Sequence, residues 1–577
     1  MASISRINST NTGDFDQITA VSQDMINDQL KTLMNSIPDL KAFEPEDAIW
    51  GKFSTVFKNA TLDPCQCSIP TSGNNFSSVL FFINFKSGQW VVTDKTDRNN
   101  VKITNYNLAG WVFCCTVNMG LSNLGPVQEA ELKKKLCIPG DYSIQRLYLD
   151  FTTADVANFR GDLSKFGTLK FSDFPAAMKN AFEIGVLDWM SYLNDSAIDL
   201  MYHGTATNSA AVNPIQPTFP PEQVIFQTYP FKDASGAANA ESRNSLLYLE
   251  TCVGNPPLDT VVHWSGNFIT NGDDGKPNVN GSMVISRKLF FNKFLLPLLR
   301  EINQRVQITP ISAKNTIDGL SLNFNWSYHV GWDPSYPNSS DSYYDFSEDL
   351  QNTQFKWEKT KPEVKDNAGS TGFLNSTLKV KGDTKASLKW EAGGHVALYD
   401  VTTHYRVETT DEQIGIDNNS YIDVNVAFKI KFTLQSVSDG VLQINTSFPK
   451  WDGTNDDNTN LNDAIRTTGS THASSIWEKN PADQQGAIKD RLVSRLQNNA
   501  WLTNRLKNVL SEHRFVFPGN GTFSFSDPCF NKNGDLLVAL AYDGLTNPTN
   551  PRGLGVVGEI PKLTTPALVS NGAEAQR

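Results

Sequence analysis

Two uninterrupted alternations of apolar and polar residues constrain this chain more than any other feature. In residues 320–332, Leu320, Leu322, Phe324, Trp326, Tyr328, Val330 and Trp332 share one phase, and Ser321, Asn323, Asn325, Ser327 and His329 the other. In residues 422–434, Ile422, Val424, Val426, Phe428, Ile430, Phe432 and Leu434 oppose Asp423, Asn425, Lys429, Lys431 and Thr433. Successive side chains of a strand point to opposite faces, so each run predicts a long strand with one dry and one wet face. Such strands belong in half-buried antiparallel sheets.

Helical periodicity marks four other segments. Val21, Met25, Leu30, Leu33 and Ile37 form one stripe over residues 17–37, closed by Pro38. Met178, Phe182, Val186, Trp189 and Leu193 do the same over residues 174–193, with Pro175 in the first turn. Residues 285–306 carry Ile285, Leu289, Phe290, Phe294, Leu298 and Ile302, and Pro297 predicts a kink. Residues 484–510 carry Ile488, Leu492, Leu496, Leu506 and Val509. Further strands are predicted at 79–85 and 90–93, joined by a Ser87-Gly88 hairpin turn, and at 108–119, 142–151 and 198–203. After these come 224–229, 246–252, 261–268, 515–517, 522–525 and 536–542, while 452–463 reads as a polar loop. Prolines crowd residues 213–221, which suits a linker. The order of helix, strands, helix and strand occurs on both sides of it. The expected fold is therefore α+β: a first domain over 1–212, a second over 213–543, each a long helix wrapped by a curved antiparallel sheet, and a disordered tail over 544–577.

The chemistry-bearing patterns are sparse. A formal charge of −11 removes the basic surface that nucleic acid requires. Cys65 and Cys67 lack the second ligand pair of a zinc site and read as ordinary thiols, and the adjacent Cys114 and Cys115 point to opposite faces of a strand. Gly553, Gly555 and Gly558 spell a dinucleotide fingerprint, but Pro551 and Pro561 deny it the flanking strand and helix. The acidic stretch 452–458 breaks the calcium-loop pattern. Seven histidines are scattered, although His395 and His404 could approach each other across a turn. With no P-loop, nucleophile elbow or metalloprotease helix, no catalytic residue, cofactor or metal is expected, and the chain reads as a binding protein rather than an enzyme. Were it an enzyme with a site assembled from distant loops, His329, His395 and Asp400 would be the first residues to test. The Trp326, Tyr328 and Trp332 stripe suits core packing first and a carbohydrate or lipid platform second. Lys489, Arg491, Arg495, Arg505 and Lys507 flank an apolar stripe, which suits a solvated face first and a peripheral membrane contact second. The polar opening residues and the lack of a long apolar run lead to the expectation of a cytoplasmic protein, or one exported without a classical signal peptide.

Three passages together resemble a known family. They are Ser286-Arg-Lys-Leu-Phe-Phe-Asn-Lys-Phe-Leu-Leu-Pro297, Ile18-Thr-Ala-Val-Ser-Gln-Asp-Met-Ile-Asn27, and Phe515-Val-Phe-Pro followed by Gly534-Asp-Leu-Leu. The chain is similar here to the accessory proteins encoded beside botulinum neurotoxin genes, members of the tubular lipid-binding (TULIP) superfamily. The resemblance implies two tandem TULIP-like domains and non-catalytic binding or transfer of a lipid or other long apolar ligand in a helix/sheet groove. Met25, Leu33, Phe290, Phe294 and Leu298 are the candidate lining. The alternative is a toxin-complex or host-interaction scaffold that docks a protein partner. Residues 333–371 and the tail depart from the family pattern.

Overall fold

The computed structural model describes residues 10–36, 38–71, 78–123, 143–150, 159–195, 205–207, 218–219, 221–232, 241–252, 254–255, 260–270, 279–318, 321–331, 341–360, 363–370, 374–413, 416–438, 441–447, 459–468, 487, 490–491, 515–516 and 523–542. It is a sheet-rich α+β protein with curled sheets, and the strand pairings among the described residues are antiparallel. The expected elements at 198–203, 452–458, 544–577 and nearly all of 484–510 lie outside the described residues.

An N-terminal sheet runs Ala42–Phe43, Phe53–Ser68, Ser78–Asp94, Val112–Asn123, Ser143–Asp150 and Thr205–Thr207. Ala48–Trp50 adds to the second of these strands and Lys102–Asn107 to the third. Its dry face holds Phe43, Phe57, Phe85 and Trp90 against Phe182 and Trp189 of helix α2, Ala176–Asp195. Ser87-Gly88 is not the hairpin turn expected from sequence, because Ser78–Asp94 is one strand through it. Gly88 has φ +111°, and a Cβ there would stand 2.4 Å from the Ala60 Cα. The ladder slips between Lys58, Thr61 and Leu62 at this point. The glycine marks a bulge that bends the sheet over α2, rather than a reversal of the chain.

A six-stranded central sheet runs Pro221–Tyr229, Ser245–Cys252, Gln17–Ser22, Gly281–Ile285, Leu536–Tyr542 and Phe523–Phe530. It draws strands from both sides of the Pro-rich stretch. Residues 17–22 were expected to open the first helix and instead form a strand buried on both faces. Helix α1, Gln23–Ser36, begins only after this strand, capped where the Met25 amide donates to Ser22 Oγ at 3.2 Å. Residues 261–268, expected as a strand, have no strand structure.

The third sheet runs Ser347–Asp349, Gln354–Thr360, Leu374–Trp390, Val396–Gln413, Ile416–Ser438, Val441–Ser447 and Phe515–Val516, joined by Val364–Ser370 and Thr459–Thr468. The last of these replaces part of the loop expected at 452–463. Within Ile416–Ser438 the expected dry face, Ile422 through Leu434, is buried throughout. Ser321–Val330 is the other alternating run, paired with Ile308–Asp318 as a separate hairpin, and its Phe324, Trp326 and Tyr328 are only half buried. The third sheet wraps the helical segment 288–306. The Phe291 ring lies 5.3 Å from Phe355 and 5.2 Å from Trp390, and Tyr399 Oη donates to Asn303 at 2.7 Å. The kink expected at Pro297 coincides with a change of helix type. A π-helix, Lys288–Leu295, hands over to α3, Leu296–Val306, and the proline falls in the first turn of α3. There its missing N–H breaks no established α-helical bond. Among the described residues, no helix is long and apolar enough to cross a membrane.

Candidate functional site

One face of the central sheet shares the main core with residues of α1 and of the 288–306 helical segment. The register aligns Val224, Glu250, Gln17, Ile285 and Leu536 in one row, and Phe226, Tyr248, Thr19, Met283 and Val538 in the next. A third row holds Thr228, Leu246, Val21, Gly281 and Leu540. Alternate residues of a strand share a face, so all three rows do. The apolar members pack with Met25 and Phe290 in the main core, whereas Ile18, Ala20, Leu247 and Val284 on the reverse face belong to a second core.

The candidate lining residues distribute over this face as follows. Met25 of α1 stands over the third row, where its sulfur is 3.0 Å from the place a Cβ on Gly281 would take. The side chain of Leu33 lies outside the described ones. Phe290 and Phe294 meet at the other end, beside Phe530, which pairs with Leu536 of the first row, and Leu298 packs against the same core. The Phe290 ring is 5.8 Å from Phe294 and 5.6 Å from Phe530. Phe290 is fully buried, whereas Phe294 and Leu298 are partly buried against the same core, so the ridge runs from the core outward. Lys293, beside this ridge, is near enough to the Cys252 thiol to oppose its burial. Burial, helped by the Asp16 and Glu250 charges, pushes that thiol far above its ordinary range.

The rows contain polar groups that periodicity did not single out. Gln17, Thr19 and Glu250 are wholly buried, and Thr228 nearly so. Gln17 Nε2 donates to the Phe219 carbonyl at 2.9 Å and to Cys252 Sγ at 2.9 Å. Gln17 Oε1, Thr19 Oγ1 and Thr228 Oγ1 have no hydrogen-bond partner among the described residues. A buried polar atom is normally paired, so each of these three carries an uncompensated cost in the described structure. Because residues 17–22 read as helix in the sequence, no pattern could have put Gln17 and Thr19 beside Glu250 and Tyr248.

Other sequence candidates separate or find different partners. His395 and His404 do not pair. His404 Nδ1 meets Asp383 at 2.9 Å and its Nε2 meets Asp423, across three adjacent strands of the third sheet. The bond to Asp383, followed by those to Asp423, raises the His404 pKa against the opposing effect of burial. Asp400 instead binds Lys389 at 3.3 Å, and His329 sits opposite Thr309 in its hairpin. The Tyr328 ring lies 4.8 Å from that of Tyr405, tilted by 48°, and the Arg491 guanidinium stands 4.7 Å from the Tyr328 ring centre. Cys65, Cys67 and Cys115 are buried thiols, with Cys67 pushed up to about 12 by burial. No group of three metal-ligating side chains occurs among the described residues.

No protein-family model matches the chain, and no curated protein matches it by sequence. Among solved structures it is similar to P47 of Clostridium botulinum E1, with a TM-score of 0.39 and 13% identity, over 92% of this chain and 99% of that one. It is also similar to a lipopolysaccharide binding protein, with a TM-score of 0.32 and 10% identity, over 91% of this chain and 98% of that one. Both scores are low.

Proposed function

We propose that this chain binds or transfers, without chemical conversion, a lipid or other long apolar ligand between the 288–306 helix and the central sheet. The observation that carries this reading is the partly buried ridge of Phe294 and Leu298 leading out from fully buried Phe290. An acyl chain laid along it gains about 0.8 kcal/mol per methylene removed from water. A segment of about eight methylenes therefore gains roughly 6 kcal/mol, enough to offset much of the cost of ordering the ligand. The unpartnered Gln17 and Thr19 oxygens on the facing sheet suit a ligand that is polar at one end. The protein is expected to act as a carrier, with no residue in a catalytic role.

The test is native mass spectrometry of the purified chain, followed by organic extraction. The expected result is a bound amphiphile that leaves on extraction. A chain with no extractable ligand, and no uptake of added fatty acid or phospholipid, would falsify the carrier reading. Stoichiometric co-purification of a protein instead would favour the scaffold alternative.

A further inference from the structure

At one end of the N-terminal sheet four neighbouring strands finish together. The register there puts Ile49, Ser54, Thr93 and Ile103 in one row, and Trp50, Phe53, Asp94 and Lys102 in the row beyond it. The first row spans about 14 Å across the four strands. Ile49 is 74% exposed, Ile103 64%, Val101 48% and Trp50 46%, although the same strands further along bury Val91, Val92 and Trp90. Single exposed apolar residues are ordinary, but a set of them on adjoining hairpin tips marks an interaction surface.

The charges around this tip run against those of the chain. Lys52, Lys95, Arg98 and Lys102 are exposed there, in a protein of formal charge −11. Two carboxylates share the tip, so four cations outnumber two anions there. Asp94 Oδ1 accepts bonds from the Thr96 amide and hydroxyl, and Asp97 Oδ1 accepts from the Asn99 amide at 2.9 Å. Glu44, Glu46 and Asp47 precede the strand Ala48–Trp50 and so lie on the body side of the tip. Branched aliphatics and a tryptophan at the extremity, ringed by basic side chains on long stems, match the depth profile of an anionic bilayer surface. The apolar tips enter the headgroup boundary while the lysines stay at phosphate level.

We infer that this tip docks the protein on an anionic lipid surface through Ile49, Trp50, Val101 and Ile103, with Lys52, Lys95, Arg98 and Lys102 holding the headgroups. This surface is separate from the helix/sheet slot and stands without it. The experiment is vesicle flotation of the full chain with phosphatidylcholine alone and with phosphatidylcholine mixed with phosphatidylserine. The wild type is expected to float with the mixed vesicles and not with the neutral ones. Ile49→Ser with Ile103→Ser should reduce partitioning about tenfold or more by removing inserted apolar area. Lys95→Glu with Lys102→Glu should reduce it by at least about fivefold per lysine. All four side chains are exposed, so melting temperatures should stay at the wild-type value. Failure of the wild type to float, or flotation unchanged in both double variants, overturns the inference. Loss of self-association rather than of flotation in Ile49→Ser with Ile103→Ser also overturns it, and assigns the tip to a second copy of the chain.

Discussion

Truncating Phe290 and Phe294 in turn separates a filled core from a ligand slot, because one helix presents both rings at different depths. Phe290 is 1% exposed, with the rings of Phe291 at 5.2 Å, Phe530 at 5.6 Å and Phe294 at 5.8 Å. Replacing it with alanine leaves a cavity among side chains that can only partly collapse, at a cost of about 3–5 kcal/mol. Phe294 is only partly buried, so Phe294→Ala forfeits less of that burial, about 2–3 kcal/mol. Denaturant titration of delipidated protein, followed by tryptophan emission, measures both. Extraction and mass spectrometry of the untreated proteins measure the ligand. The expected pattern is a large stability loss with Phe290→Ala, and a smaller one with Phe294→Ala accompanied by less ligand or a different chain length. Equal, large losses for both variants, with no ligand extractable from the wild type, would refute the slot and leave this helix as plain core.

Three further outcomes follow from particular contacts. Gly88→Ala should destabilise the protein by more than about 2 kcal/mol, because the new Cβ strikes the Ala60 backbone at a φ that L-residues avoid; a denaturation midpoint within error of wild type would contradict the bulge. His404→Asn should lower the midpoint most in mildly acidic buffer, because the folded-state pKa of His404 is raised by Asp383 and Asp423. Its stabilisation is complete below the ordinary imidazole value and is lost as pH rises through the folded one, so a difference that grows with pH would reject the arrangement. Thr19→Val removes a buried hydroxyl without a partner, and should be neutral or stabilising by up to about 1 kcal/mol in delipidated protein while weakening ligand binding; a clear loss of stability without ligand would show that the hydroxyl is already paired.

The parts of this fold legible in the sequence are those where one face meets water. The 422–434 alternation reports a strand with one wet face, and each expected inward residue is buried. Residues 176–195 are legible for the same reason, since a helix on the sheet's flank keeps a polar side. Residues 17–22 are not, because a strand in mid-sheet buries both faces and its continuous apolar and neutral run has no period of its own. Its Val21 then joins the stripe of the following helix by accident of spacing. Leu374–Trp390 was missed because its inward positions include Ser376, Gly382, Thr384 and Ala386, which carry little hydrophobic signal. The π-helix leaves no composition signature, and only the position of Pro297 hints that the helix must restart there.

Hidden positions of this kind also bear on the class of ligand. A slot lined only by Phe290, Phe294 and Leu298 would accept any hydrocarbon, and selection would rest on length. The facing rows change that, because each buried polar atom left without a partner costs about 1–3 kcal/mol. Gln17 and Thr19 would therefore carry a cost of a few kcal/mol that a pure hydrocarbon in the proposed slot leaves uncompensated. A ligand bearing a hydroxyl, carbonyl or amide at one end recovers part of it by supplying the missing bond. Reversed insertion, which puts the polar end against Phe294, gains nothing and strips water from the headgroup. The same groups that make the central strand costly to fold would thus give the slot a direction, and an amphiphile that enters it tail inward should bind more weakly than one that enters head inward by the worth of those bonds.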